Sequence, residues 1–382
     1  FKGLKDGANA DYIPILAEGP SELFGVAIVT VDGDVVTAGD VDHHFSIQSV
    51  SKPFVMAMVM QEQGIDAVQQ KIGVEPTGMP FNSIIAIELN KQRSINPLVN
   101  AGAIAAVSMI EAADPAQRWG KIERGFNDFA GEELSVLEEV YTSEAESNFR
   151  NVSIAYLLYN YERLYSDPLE AVDVYTRQCS VGVNTAQLAM MGATLANGGV
   201  NPKTGKKLIK SEYVDQVLSV MMMAGFYDES GLWSYEVGLP GKTGVGGGIV
   251  VVVPGQLAIA AFSPRLNEAG NSIRAMGAIK YIAEQLNYSV YTQQHAQGEA
   301  GMLWLERAIL LICLVSGARL GGIALGVVAG LGLAVFVFVF KRPPGSPPTI
   351  VLGMILAVIT ALSVMEAAGG LDFLVETAER VL

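Results

Sequence analysis

Apolar residues fall into short β-like blocks near both ends of the first three quarters of the chain and recur at helical spacing between them. Residues 24–30, then Val31-Asp32-Gly33-Asp34, then 35–38 predict two strands around an Asp-Gly turn, the dipeptide that best accepts the positive φ of a tight hairpin. Residues 249–253, Pro254-Gly255 and 257–262 predict a second hairpin, and 270–286 a helix behind it. From about residue 49 to 218 the spacing is mostly helical. Strands at both ends and helices between them predict one α+β domain over residues 1–291. Its N- and C-terminal parts share an antiparallel sheet, and a helical subdomain is inserted. No internal repeat is seen.

The polar stretch 292–301 carries neither period and is predicted to be a linker. Beyond it the pattern changes. Residues 320–340 contain no charge, a length that matches the roughly twenty residues a helix needs to cross a bilayer. Residues 343–365 are also uncharged, and 350–365 could span with flanking help. Residues 302–318 form a weaker candidate because Glu306 and Arg307 interrupt them. Gly322, Gly326 and Gly330 fall four apart, a small-residue stripe that lets membrane helices approach closely. Residues 302–382 are therefore expected to be transmembrane helices, in contact with a lipid bilayer if this part is expressed.

Charge and cysteine content change the picture in two ways. A formal net charge of −14 leaves no basic surplus to neutralise phosphates, which argues against a nucleic-acid partner. Cys179 lies in a soluble-looking region and Cys313 inside an apolar run, so a disulfide between them is not expected, in keeping with a reducing cytoplasm. His43, His44 and His295 form no zinc pattern, and no metal is expected. The chain opens on Phe1 without a charged segment followed by an apolar stretch, so no signal peptide is read there and the natural start is expected upstream.

The candidate chemistry lies in Phe45-Ser46-Ile47-Gln48-Ser49-Val50-Ser51-Lys52-Pro53 and, far downstream, Lys242-Thr243-Gly244-Val245-Gly246-Gly247-Gly248. A serine three residues before a lysine on an opening helix puts both on one face, where the amine can take the hydroxyl proton. A later Lys-Thr-Gly strand can wall the same cleft. Ser-x-x-Lys alone arises by chance roughly once or twice in a chain of this size. The ordered pairing is more specific, yet it suits a β-lactamase, a penicillin-binding peptidase or an amidase equally.

Further segments discriminate. Tyr12-Ile13-Pro14-Ile15-Leu16-Ala17, Phe45 to Ser49, Glu75-Pro76-Thr77-Gly78-Met79-Pro80-Phe81-Asn82-Ser83, Asn96-Pro97-Leu98-Val99-Asn100-Ala101-Gly102-Ala103-Ile104 and the run from Val237 to Gly248 together resemble the serine-dependent glutaminase family. The resemblance extends in order from about Asp11 to Tyr291. It implies a β-lactamase/DD-peptidase-like fold and hydrolysis of L-glutamine to L-glutamate and ammonia. No cofactor is expected, since the serine, the amine and the amide pocket supply the whole mechanism, and a cytoplasmic glutaminase domain and a homo-oligomer are expected.

Carried over residue by residue, the resemblance makes Ser49 the nucleophile and Lys52 its activating amine. For Lys52 to act as a base, burial or a neighbouring cation must depress its pKa. Tyr227, in Gly225-Phe226-Tyr227-Asp228, becomes a second proton-transfer group, and the amides of Ser49 and Val245 the oxyanion hole. Glu144, rather than Glu146 two residues on, is matched to the substrate's α-ammonium. Tyr12, Asn100, Asn151 and Tyr175 are matched to polar binders around the zwitterion, with Ser49, Tyr227 and Val245 also touching substrate.

The sequence departs from the family in three places. Many members have alanine before the lysine of the Lys-Thr-Gly strand and serine after it, where this chain has Gly241 and Thr243; the threonine keeps a hydroxyl. Pro53 directly follows Lys52, which a helix start tolerates. The family's usual N-terminal helix is largely absent before Asp11, which bears on packing or oligomerisation rather than chemistry.

Residues 302–382 separately resemble the N-terminal part of anaerobic C4-dicarboxylate transporters, through Gly317-Ala318-Arg319-Leu320-Gly321-Gly322-Ile323-Ala324-Leu325-Gly326 and Glu366-Ala367-Ala368-Gly369-Gly370-Leu371-Asp372. Only the opening helices of such a transporter are covered, so transport by this chain alone is not expected, and Met302 stands where an independent transporter would begin. A fusion of reading frames, natural or artefactual, fits this arrangement, and the tail would anchor the glutaminase domain to the membrane. Two alternatives remain: a β-lactam-recognising hydrolase of the same fold, and a membrane transport component with a soluble appendage.

Overall fold

The computed structural model describes residues 1–90 and 94–292, with isolated positions beyond. By its contacts the chain divides into two units, Phe1–His295 and Ala296–Leu382. The linker and the membrane-span expectations for residues 320–340, 343–365 and 302–318 lie outside the described residues. Among the described residues no helix is long and apolar enough to cross a membrane.

Both predicted hairpins form. β1 (Gly25–Thr30) pairs antiparallel with β2 (Val35–Gly39) across a turn in which Gly33 has φ +93°. The strands β3 (Phe45–Ser46), β4 (Ser135–Val136), β5 (Val181–Val183) and β6 (Gly241–Thr243) are short. β7 (Gly248–Val253) and β8 (Leu257–Phe262) make the second hairpin through Pro254 and Gly255. The five-stranded sheet has the order β2-β1-β8-β7-β6, so the N-terminal hairpin closes onto the C-terminal one through β1 and β8. The sheet is shared between the two ends of the unit, as the pattern predicted.

Every residue of β7 and β8 is buried, because both faces of the sheet are covered. Val250, Val252, Ala258 and Ala260 face the inserted helices, among them Thr185–Ala196. Ile249, Val251, Ile259 and Ala261 pack with helix Ile273–Gln285 and with Phe226 and Trp233. A strand covered on both sides has no polar face, which explains the unbroken apolar run at 249–253. Helix Asn100–Met109 is buried on every side, and it sits in the middle of the inserted helices with polar Asn100 at its first position.

A second sheet, of order β3-β5-β4, was not anticipated. Two of its strands have only two residues, too few to register as a period. It positions the serine segment nonetheless: Phe45 pairs with Val183, Ser46 with Gly182, and the Ile47 amide donates to the Val181 carbonyl at 2.8 Å. Phe45 also stacks on Phe262 of β8 at 4.1 Å between ring centroids, which ties the two sheets together.

Candidate active site

The chain leaves β3 and turns at Gln48, whose φ of +48° is left-handed and uncommon for a residue with a side chain. Ser49 therefore stands on a single 3-10 turn, Gln48–Ser51, at the mouth of helix Lys52–Gln63 rather than inside it. Ser51 holds the turn by donating to the Gln48 carbonyl at 2.6 Å while accepting from Gln178 at 2.9 Å. Pro53 occupies the first turn of the helix, where no intrahelical partner for an N–H is missing.

Lys52 is fully buried behind Ser49. Its Nζ donates to Asn100 Oδ1 at 2.7 Å and to the Leu98 carbonyl at 3.4 Å, with the rings of Phe81 and Tyr175 about it at 5.8 and 5.9 Å. Among the described residues no carboxylate bonds it. Burial pulls its pKa down to about 8, against the opposing effects of Cys179 and Glu144. Asn100 is the hub of this network: its Oδ1 also accepts from the Tyr175 hydroxyl at 3.2 Å, and its Nδ2 donates to Asn151 Oδ1 at 2.9 Å. Lys52, Asn100, Tyr175 and Asn151 thus hold one another in fixed orientations.

A cavity of about 200 Å³ opens in front of Ser49, smaller than the roughly 300 Å³ and above typical of drug-sized ligands and suited to an amino acid. Tyr12, Ser49, Asn100, Glu144, Asn151, Tyr175 and Val245 all line it. Lys52 and Tyr227 stand behind this lining. Tyr12 is 52% exposed and forms part of the rim. Glu144 is 7% exposed and accepts from Gln48 Nε2 at 3.3 Å, whereas Glu146 faces solvent. Burial pushes the Glu144 carboxyl up to about 7, against the Gln48 hydrogen bond and the Lys52 charge.

The far wall is the turn from β6 into β7. A Cβ on Gly244 would lie 2.9 Å from the Ile47 carbonyl oxygen and 3.3 Å from the Ser49 nitrogen, and one on Gly246 would lie 2.5 Å from the Ser46 carbonyl oxygen. Only glycine lets this backbone come so close to the serine turn. Among the described residues no acceptor meets the Val245 amide, which is an unpaired donor at the cavity wall.

Tyr227 is 8% exposed, has a left-handed φ of +56°, and donates to the Thr243 carbonyl at 3.5 Å. Burial raises its phenol above the ordinary value, while the Ser49 hydroxyl beside it acts the other way. Lys242 braces this tyrosine from behind. Its fully buried Nζ lies 4.4 Å from the centroid of the Tyr227 ring and donates to the carbonyls of Gly225 at 3.0 Å and Thr243 at 2.8 Å. Burial, and then repulsion from Lys52, holds Lys242 well below its ordinary pKa.

Three contributors went unassigned at the sequence level. Gln48 holds Glu144, and Phe81 packs on Tyr227 at 4.6 Å between ring centroids. Arg150 lines the cavity with its Nε donating to the Asn82 carbonyl at 2.9 Å. Gln48 and Phe81 lie inside segments quoted above, but nothing in the order of residues says that a side chain from residue 48 meets one from residue 144.

The family model described as Glutaminase matches residues 7–291, and that of the anaerobic C4-dicarboxylate membrane transporter matches residues 302–382. A glutaminase of Brucella canis is 54% identical over 286 residues, 75% of this chain and 90% of that protein. One of Mycobacterium ulcerans is 52% identical over 290 residues, 76% of this chain and 91% of its own length. Among solved structures, the probable glutaminase ybaS superposes with a TM-score of 0.75 at 52% identity, over 76% of this chain and 94% of that one. Mglu in its glutamate form gives 0.72 at 38% identity, over 75% and 66%.

Proposed function

The chain belongs to the glutaminase family, and from that premise we propose that it hydrolyses L-glutamine through an acyl-enzyme on Ser49. The observation that carries this reading is Lys52, a buried amine without a carboxylate partner among the described residues, depressed to about 8 and one helical turn from a serine that lines an amino-acid-sized cavity. Lys52 Nζ takes the Ser49 proton as Oγ attacks the side-chain amide carbon. The developing oxyanion is met by the amides of Ser49 and Val245. Tyr227, with its phenol beside the Ser49 hydroxyl, relays the proton that lets ammonia leave. Water then attacks the γ-glutamyl ester, its proton returns through the same groups to Ser49 Oγ, and L-glutamate is released.

Glu144 faces the α-ammonium, and Tyr12, Asn100, Asn151 and Tyr175 supply neutral donors and acceptors to the rest of the zwitterion. Both Glu144 and Lys52 have to be deprotonated in the working enzyme, which gives a pH signature. The carboxylate forms above about 7 and the neutral amine above about 8. On logarithmic axes kcat/KM should therefore rise with slope two below about pH 7 and slope one between about 7 and 8, then level off. Glu144→Gln removes a charge-assisted contact worth on the order of 2 kcal/mol, so kcat/KM should fall about thirtyfold. The acid slope should fall to one, and Glu146→Gln should do neither. Initial rates across pH for the three proteins decide this; slope one in the unmodified enzyme would remove Glu144 from the role.

The shared sheet with an inserted helical body, the serine turn opposite a Lys-Thr-Gly strand, and the family membership support a β-lactamase-like fold for residues 1–291, followed by a linker at 292–301. A clear preference for glutamine over a penicillin would exclude a β-lactam-recognising enzyme. Association with a second copy is supported by exposed Ile85, Leu89 and Tyr156, on two helices tied together where Tyr161 donates to Glu88 at 2.9 Å. The match of residues 302–382 to a membrane transporter and the uncharged run 320–340 support a tail that inserts in the membrane, with the glutaminase domain on the cytoplasmic side. The full chain made from its own gene should sediment with membranes after a carbonate wash. Uncleaved protein in the soluble fraction would rule the anchor out.

A further inference from the structure

A second cavity of about 130 Å³ lies on the other side of the Phe81 ring, which lines both cavities. Its inner wall includes Phe81, Leu98 and Tyr227, and its rim includes exposed Gly78, Met223, Asp228 and Gly231. It therefore brings solvent up to Tyr227, and to Leu98, whose carbonyl accepts from Lys52 Nζ. Phe81 also lines the amino-acid cavity in front of Ser49, whereas Tyr227 does not.

We propose that this second cavity is the port by which ammonia leaves and the attacking water enters, separate from the cavity that admits the amino acid. The inference rests on the acyl-enzyme reading given above. Once Ser49 is acylated, the γ-glutamyl group fills the front cavity by a covalent bond, and the small reactants need another way to the ester carbon. The amine must depart past the group that protonates it, and Tyr227 faces the second cavity. At its rim the Asp228 carboxylate favours a departing ammonium over an anion, so glutamate is not drawn the same way. A cavity of about 130 Å³ has room for water, ammonia and small amines.

Hydroxylamine tests the port. It attacks the ester carbon of the acyl-enzyme, forming a C–N bond as the C–O bond to Ser49 breaks, and the nitrogen's proton passes to Ser49 Oγ. The product is γ-glutamyl hydroxamate, formed in competition with glutamate. With saturating L-glutamine the hydroxamate-to-glutamate ratio is measured for the full chain, and the corresponding amide ratio for methylamine and ethylamine. Gly231 is suited to blocking the rim, since it is exposed and a Cβ there meets nothing within 4 Å.

Gly231→Trp should lower the hydroxamate ratio about fivefold or more and suppress the ethylamide further, with KM for glutamine unchanged and Gly231→Ala behaving as the parent. Met223→Trp, across the rim, should act in the same direction. An unchanged ratio in both tryptophan variants, or no hydroxamate at all from the parent enzyme, would overturn the port. Retention of glutaminase activity in Ser49→Ala would instead remove the acyl-enzyme reading itself, so the two failures are told apart.

Discussion

Replacing Ser49 by alanine should leave a folded protein that releases ammonia from L-glutamine at least about a thousandfold more slowly, because the proposed mechanism places the acyl group on Ser49. Ser49 is buried at the cavity wall, and alanine fits the same space, so the fold has little to lose. Lys52→Met should be equally inactive. It retains most of the side-chain volume among Phe81, Tyr175 and Asn100, and it deletes a buried amine that no carboxylate neutralises, so stability should hold or rise. Nucleophile and base act as a unit, and the double variant should be no slower than either single one. Ammonia release, circular dichroism and thermal melting of all three decide the matter. Turnover near normal in well-folded Ser49→Ala would refute the mechanism, and additive losses would separate Lys52 from the serine's activation.

Gly246→Ala should lower kcat by about a hundredfold or more through the oxyanion hole, since removing one such donor costs about 10²–10³. The added methyl would sit 2.5 Å from the Ser46 carbonyl oxygen, so the turn carrying the Val245 amide must withdraw from the serine. Binding of ground-state glutamine, proposed to rest on Glu144 and the asparagines, should change much less, so the loss should fall on kcat rather than KM. Gly120→Ala is the control, because its methyl meets only the flexible end of Arg124 at 3.2 Å. A normal kcat in Gly246→Ala would show that Val245 does not stabilise the transition state.

The legible parts of this chain were those written in local patterns. The Asp-Gly and Pro-Gly hairpins, the helical middle and the helix behind the C-terminal hairpin each depend on residues within a few positions of one another. The sheet shared by both ends followed from where the strands fall in the chain. The β3-β5-β4 sheet was illegible because two-residue strands have no period, and its partners lie far apart in the chain, Phe45 on Val183 and Ser135 on Gly182. The site was legible through a resemblance that gathers scattered segments, but its electrostatics were not. Lys52 and Glu144 carry ordinary pKa values in any local context, and only the packing around them removes the water that would hold the amine protonated and the carboxyl charged.

Sequence alone determined which residues were available for acyl transfer, that no basic surplus served nucleic acid, and that the last eighty or so residues differ in kind from the rest. Hydrophobic period, turn chemistry and charge are properties of neighbours along the chain, and they can be read without coordinates. The tertiary structure decided which serine-facing amine loses its solvent, how Lys242 braces a tyrosine with left-handed backbone, and that Phe81 stands between two cavities. Those outcomes depend on distances between residues far apart in the chain and on the exclusion of water from between them. Both arise only when the two ends of the unit close into one sheet against the inserted helices.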